Sequence, residues 1–441
     1  MAQLKRALTG FDLTMIAIGS TIGSGIFLTP SSIASVLPEP TWILCVWVIG
    51  GLTAIAGALT FAELGSMMPQ TGGVYVYLKH AYGGLVGFLF GWAYFLVVST
   101  GCIAALSIAF ATYFGYFIQL SPTGIIVAAM AGLTLVTVLN VLGVRVGGIF
   151  SDVFTVLKLA GLVGLITIGI GWGSSTRSHF ALPVLEPEGG FGSALALAMV
   201  GVLWSYGGWQ HATFAAGEAK DPKRAVPVAI IFGAGAVAVI YVLTNIAYMF
   251  LLTPSEIAAS SRVAADAVSR ILGPVGGSMI AAAIFISTFG TTGIYTLTAP
   301  RIYYAMAHDG LFFRSVAAVH LRFHAPAVAI VCQSGWALVL ILFWGTFENL
   351  ISYVVFTDWV FFALTAASVF VFRRRNPHID RSYTIPGYPW TPLFFIAVSL
   401  WFVVNTLIAK PEQAWAGLGF LALGVPVYFY WRSRNRNISR S

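Results

Sequence analysis

The chain has 441 residues, 58% of them hydrophobic and only 9% charged, against roughly 25% charged in a soluble domain, which excludes a water-soluble enzyme and points to an integral membrane protein. Its formal net charge of +8 is spread over many short loops as membrane topology requires, so it is not the patch of a nucleic-acid-binding protein. The three cysteines, Cys45, Cys102 and Cys332, all fall in apolar segments and give neither a disulfide framework nor a metal cluster.

A bilayer crossing takes about 20 apolar residues, and the hydrophobic runs leave room for about twelve crossings on that measure. The first, 12–36, is interrupted at Gly19-Ser20-Thr21-Ile22-Gly23-Ser24-Gly25. It opens directly into this break and offers no Ala-x-Ala site, so it is expected to stay in the mature protein. Crossings at 41–67, 85–118, 123–142 and 150–172 follow. The sixth, 193–218, is interrupted again at Ser205-Tyr206-Gly207-Gly208-Trp209-Gln210. Those at 225–252, 275–305, 326–344 and 350–373 complete a second set, and 391–409 and 413–431 end the series. The longest outward loops, 173–192 and 254–272, are expected to cap the gates. Glu256, Arg262, Asp266 and Arg270 have amphipathic spacing in the second loop and predict a short surface helix.

The two breaks stand in the first and sixth crossings, and this odd spacing inverts the second half relative to the first. The expected architecture is an all-α integral membrane fold of about 12 transmembrane helices, a leucine-transporter-type 5+5 inverted repeat with discontinuous helices 1 and 6. One transmembrane domain then fills 1–441, with a first repeat at 12–172, a second at 193–373 and two accessory helices at 391–431. An even number of crossings puts both termini on one side. About 18 cations fall in the loops and ends of that side and about four, Arg177, Arg262, Arg270 and Lys410, on the other, so the positive-inside rule makes the termini cytoplasmic. The sequon at Asn437 then sits on a cytoplasmic tail, where no glycan is expected.

In lipid a backbone can unwind only where protein or a water-filled cavity satisfies the freed groups, and paired interruptions are the pointer to a transporter binding site. The outer half-helix, beginning near Ser24 to Ile26, offers N–H groups to a carboxylate. Carbonyls near Thr21 and Ile22 suit an ammonium group, so the gap suits a zwitterion. Close packing of helices is the alternative use of such glycines.

Lys158 lies about 10 to 12 Å into the fifth crossing, a depth that costs about 2.5 to 3.5 kcal/mol on insertion scales. It either snorkels to the surface or is a fixed cation held by carbonyls and hydroxyls near the midplane, an internal charge replacing sodium. Loss of its proton on burial would instead allow proton coupling. Glu63 and Glu218, near inner helix ends, are expected to pair with Lys79, Lys223 or Arg301 in a gate. Asp358 lies deeper, and either a solvated place in the outward vestibule or a part in coupling suits it. Trp204 adjoins the second break and is expected to line the cavity. Trp204, Trp209 and Trp359 all have interfacial placement as an alternative. His211 reads as a satisfied polar side chain. No nucleophile with a base, phosphate loop or zinc signature is present, so neither an enzyme nor a cofactor is expected.

These motifs resemble the amino acid–polyamine–organocation superfamily, and within it the L-type amino acid transporter family, over nearly the whole chain. The carriers are IGSTIGSGIF (Ile18 to Phe27), FAELGSMMPQTGGVYVY (Phe61 to Tyr77), GFLFGW (Gly87 to Trp92), VRVGGIFSDVFTVLK (Val144 to Lys158), WSYGGWQHATFAAGEAKDPKRAVP (Trp204 to Pro227) and PRIYYAMAHDG (Pro300 to Gly310). The resemblance implies that Thr21, Ile22, Gly23, Ser24 and Gly25 meet the backbone of an amino acid, with Trp204, Ser205 and Gly207 as sixth-crossing partners. It makes Trp204 an aromatic gate, Trp359 a pocket aromatic, and Lys158 the lysine that goes with sodium-independent transport. Asp358 stands where the family pattern has an amide. Some members are tied to a single-span glycoprotein through an outward cysteine, but the corresponding loop, Phe117 to Gly124, has none, so no disulfide-linked heavy chain is expected. The leading expectation is a sodium-independent exchanger of neutral L-amino acids in the cell membrane. The alternative is a proton-coupled importer of amino acids, amines or polyamines.

Overall fold

The computed structural model describes residues 4–172, 190–344, 347–409 and 411–438. Most of the loop expected at 173–192, with Arg177, and Lys410 lie outside the described residues.

Helix α1 (Gly10–Thr21) is started by a capping box: Thr9 Oγ1 accepts from the Asp12 N–H at 3.2 Å, and the Asp12 carboxylate accepts the Thr9 N–H at 2.6 Å. It stops at the first break, beyond which α2 (Gly25–Val36) resumes the crossing. Then come α3 (Pro40–Met67), α4 (Val74–Tyr82) and α5 (Gly84–Ala93), which runs through a π-helical turn at Tyr94–Val98 into α6 (Ser99–Phe114). Such π turns inside helices are frequent at functional sites. The first half ends with α7 (Pro122–Val141) and α8 (Val144–Trp172).

The second half begins with α9 (Phe191–Tyr206), which ends at the second break; beyond it α10 (His211–Phe214) makes a single turn. Next are α11 (Pro222–Leu251), α12 (Pro254–Ala259), α13 (Val263–Thr298), α14 (Pro300–His308), α15 (Ala327–Trp344) and α16 (Phe347–Arg375). The last two are α17 (Trp390–Ala409) and α18 (Pro411–Ile438). Proline opens α3, α7, α11, α12 and α14, where its missing N–H has no helical partner to lose.

Among the described residues ten spans are long and apolar enough to cross a bilayer; the shorter apolar helices Phe191–Tyr206 and Ala327–Phe343 stand at the sixth and ninth expected crossings. The eighth differs from expectation. The helix starts at Val263, well before 275, and bends at Gly273 (φ 61°, ψ −154°) ahead of Pro274. The 254–272 segment is therefore divided between the short α12 and the head of α13. Polar ties hold that head in place: Arg270 pairs with Glu256, and Ser260 Oγ donates to Asp266 at 2.5 Å.

Helix α1 lies against α8, α11 and α13, while α6 lies against α7, α13 and α15, so both breaks are enclosed at the centre. Outside, Val127, Leu135, Val156, Phe232, Val239 and Val275 are more than half exposed. This apolar outer surface is what lipid requires of a helical protein. Ahead of α1, Leu8 forms a parallel bridge to Ala219: the Ala7 and Leu8 N–H groups donate to Glu218 O at 2.9 and 3.0 Å, and the Lys220 N–H to Leu8 O at 2.9 Å. The segment before the first break is thereby tied to the segment after the second.

Candidate functional site

The two breaks touch. Ser20 Oγ donates to the Gly208 carbonyl at 2.8 Å, and Thr29 Oγ1 and Ser205 Oγ are 3.0 Å apart. Two glycines permit this approach. A Cβ on Gly25 would lie 2.7 Å from the Ser205 Cα, and one on Gly208 would lie 2.4 Å from the Ser20 carbonyl oxygen. Gly208 also has φ +130°, a conformation that side-chain-bearing residues rarely adopt.

Between the breaks lies a small cavity of about 30 Å³ measured to water centres, room for one or two waters. Of the residues singled out from sequence, Thr21, Gly23, Ser24, Gly25, Trp204, Ser205, Gly207, Asp358 and Trp359 line it. Ser24 Oγ is buried without a partner. The N–H groups of Ser24, Gly25 and Ile26 stand at the start of α2, where no preceding turn supplies carbonyls. The cavity thus presents hydrogen-bond donors suited to a carboxylate.

The acceptor side differs from expectation. Tyr241 donates its hydroxyl to the Thr21 carbonyl at 2.9 Å, and Ile22 is absent from the cavity wall because its carbonyl faces Lys158. Lys158 is buried, and its Nζ donates to Gly19 O at 2.8 Å, Ile22 O at 2.8 Å and Thr291 Oγ1 at 2.7 Å. An ammonium group has three donors, and each has an acceptor here. The side chain does not snorkel. It closes the gap left by the unwound turn and joins helix 1 to α8 and α13.

The acidic residues separate into distinct environments. Glu218 and Arg301 form a fully buried ion pair, with Arg301 Nε 2.6 Å from Glu218 Oε1 and a second contact at 3.1 Å. Glu63 does not pair with Lys79, Lys223 or Arg301. It accepts from Arg373 at 2.9 and 2.6 Å, lies 3.4 Å from Arg381, and takes the Ile385 N–H at 2.9 Å. Lys79 pairs instead with Asp309, and Lys223 with Asp380. Asp358 is in the cavity wall rather than a solvated vestibule.

Trp359 is buried against Phe362, Phe395 and Phe402, and Trp209 against Phe61, Phe362 and Phe395, so neither is an interfacial anchor. His211 is only half satisfied: its Nδ1 is 2.6 Å from Thr298 Oγ1, and its Nε2 has no partner.

Sequence reasoning missed Ser20, Cys102, Leu106, Leu203, Thr291 and Tyr295 in the wall. One signal was available. Ser287-Thr288-Phe289-Gly290-Thr291-Thr292-Gly293 is dense in hydroxyls for a crossing, and it supplies Thr291 to Lys158 and Ser287 to the Ile22 and Gly23 carbonyls at 3.3 and 3.2 Å. Cys102 and Leu106 carry no such mark.

The family described as amino acid permease matches residues 8–427 of the chain. The serine/threonine exchanger SteT of Bacillus subtilis (strain 168) is 30% identical over 431 residues, covering 96% of both chains. The mouse b(0,+)-type amino acid transporter 1 is 29% identical over 431 residues, 95% of this chain and 88% of its own. The mouse Asc-type amino acid transporter 1 is 30% identical over 451 residues, 99% of this chain and 84% of its own.

Proposed function

The chain belongs to the amino acid permease family, and from that premise we propose that it is a sodium-independent exchanger of neutral L-amino acids working by alternating access. Transport of amino acids, rather than catalysis, is what the family does, and relatives of nearly the same length are exchangers or amino acid transporters by name. The cargo's carboxylate would sit on the Ser24, Gly25 and Ile26 N–H groups and the Ser24 hydroxyl. Trp204 closes over it from the side of α2 and α9. Glu218 with Arg301, and the Leu8 to Ala219 bridge, close the opposite side.

The observation that carries sodium independence is the Lys158 ammonium, which takes the Gly19 and Ile22 carbonyls and Thr291 in three hydrogen bonds. A positive charge supplied by the chain occupies the oxygen cage that a cation would need. We place both termini in the cytoplasm, on the charge asymmetry of the loops. We also propose that no disulfide-linked heavy chain is required, since 117–124 contains no cysteine.

Proteoliposomes test this reading. Vesicles loaded with amino acids should take up labelled neutral amino acids many times faster than empty ones, with equal rates in sodium and potassium. Equal accumulation by empty vesicles overturns exchange, and sodium stimulation overturns the role of Lys158. The buried Asp358 carboxyl favours a second reading, a proton-coupled importer of amino acids, amines or polyamines. In that case a pH gradient alone drives uptake into empty vesicles.

A further inference from the structure

Asp358 is 9% exposed and lines the cavity, and its Oδ1 is buried without a partner. The Tyr94 hydroxyl is a neighbour of the carboxyl. Tyr94 is itself held in place. Gln210 Nε2 donates to the Tyr94 hydroxyl at 3.3 Å, and Gln210 Oε1 accepts the Gly208 N–H at 2.9 Å. The chain from Gly208 through Gln210 therefore fixes Tyr94 beside the carboxyl from within the second break.

Among the described residues no side chain of the wall donates to Asp358 Oδ1; Ser24 Oγ, the wall's other buried side-chain oxygen without a partner, is likewise left open. The buried Lys158 is not available, since its three N–H bonds go to Gly19, Ile22 and Thr291.

Resting on the amino acid transport read above, we infer that Asp358 Oδ1 accepts a hydrogen bond from the cargo's side chain, and that the preferred cargo carries an O–H or N–H donor there. Leaving a buried acceptor unpaired is costly. A site built to bond a donor therefore rejects an analogue lacking it far more strongly than an apolar pocket discriminates by size.

Initial uptake into amino-acid-loaded proteoliposomes, compared for serine against alanine and threonine against valine, tests this. Wild-type protein should favour the hydroxyl-bearing member of each pair at least tenfold, and Asp358→Leu should bring both ratios close to one. Diaminopropionate and Asp358→Asn separate the two donor types. Diaminopropionate preferred over serine, with that preference lost in Asp358→Asn, assigns an ammonium group; serine preferred, with its ratio to alanine largely kept in Asp358→Asn, assigns a hydroxyl. Wild-type ratios near one for both pairs, with diaminopropionate no better than alanine, overturn the inference, as does an unchanged wild-type preference in Asp358→Leu. Should the leucine variant not fold, the wild-type ratios alone decide. A wild-type protein that takes up none of these amino acids overturns the transport reading itself, a result distinct from uptake without discrimination.

Discussion

Lys158 shows how a single buried charge organises the first break. Replacing it with alanine removes three donors and a positive charge at once, leaving the Gly19 and Ile22 carbonyls to share the Thr291 hydroxyl, with Ser287 also on Ile22. Lys158→Ala should reduce exchange by at least two orders of magnitude while the purified protein remains monodisperse; uptake at wild-type rates would remove its assigned role. The glycines divide in a way that sequence alone could not reveal. A Cβ at Gly207 meets only the Trp204 and Leu203 carbonyls at 3.4 and 3.6 Å, ordinary contact distances, whereas one at Gly25 collides with the Ser205 backbone. Gly207→Ala should therefore fold normally, and Gly207→Trp should fold but fill the cavity and abolish substrate binding in a scintillation assay. Gly25→Ala should instead lose about 1 to 3 kcal/mol through overpacking, measurable as a lower unfolding temperature. Lys158 was legible because a lysine deep in a crossing is expensive. The engagement of the Thr21 carbonyl was not, since Tyr241 is 220 positions away and no local spacing connects them.

At the scale of elements, the gate pairs show the same limit. Glu63 and Glu218 could both be found as acids near helix ends, but their partners are settled by tertiary packing. Glu63 ties α3 to the end of α16 and the segment after it, across 310 positions to Arg373 and 322 to Ile385. Glu218, by contrast, joins the short turn after α10 to Arg301 at the start of α14. Removing one partner of a buried pair strands the other charge, at about 3 to 5 kcal/mol. Arg301→Ala should lower thermal stability by that order, and a cysteine placed at Leu8 in the same variant should react faster with a membrane-impermeant thiol reagent from the N-terminal side. Unchanged labelling would mean that this pair does not hold the closure.

For the whole molecule, the architecture was readable because lipid leaves the backbone few choices. Apolar length marks the crossings, and glycine-rich interruptions mark where protein must take over from the helical hydrogen bonds. The head of α13 was less readable. Glu256, Arg262, Asp266 and Arg270 predict a short surface helix in a loop, yet the Arg270–Glu256 pair and the Ser260–Asp266 bond hold a head that is continuous with the eighth crossing. The charge asymmetry makes a global prediction: tags at both ends should be cleaved by external protease only after right-side-out vesicles are permeabilised. The tethered ammonium of Lys158 has a thermodynamic consequence for the complete molecule. A charge bonded to the chain returns to its starting position after every turnover, so it does no net work and cannot draw on an ion battery. With exchange as the only movement, the total internal pool is conserved and only its composition changes. At steady state the inside-to-outside ratios of all carried amino acids should converge on one common value, set by whatever other carrier fills the pool.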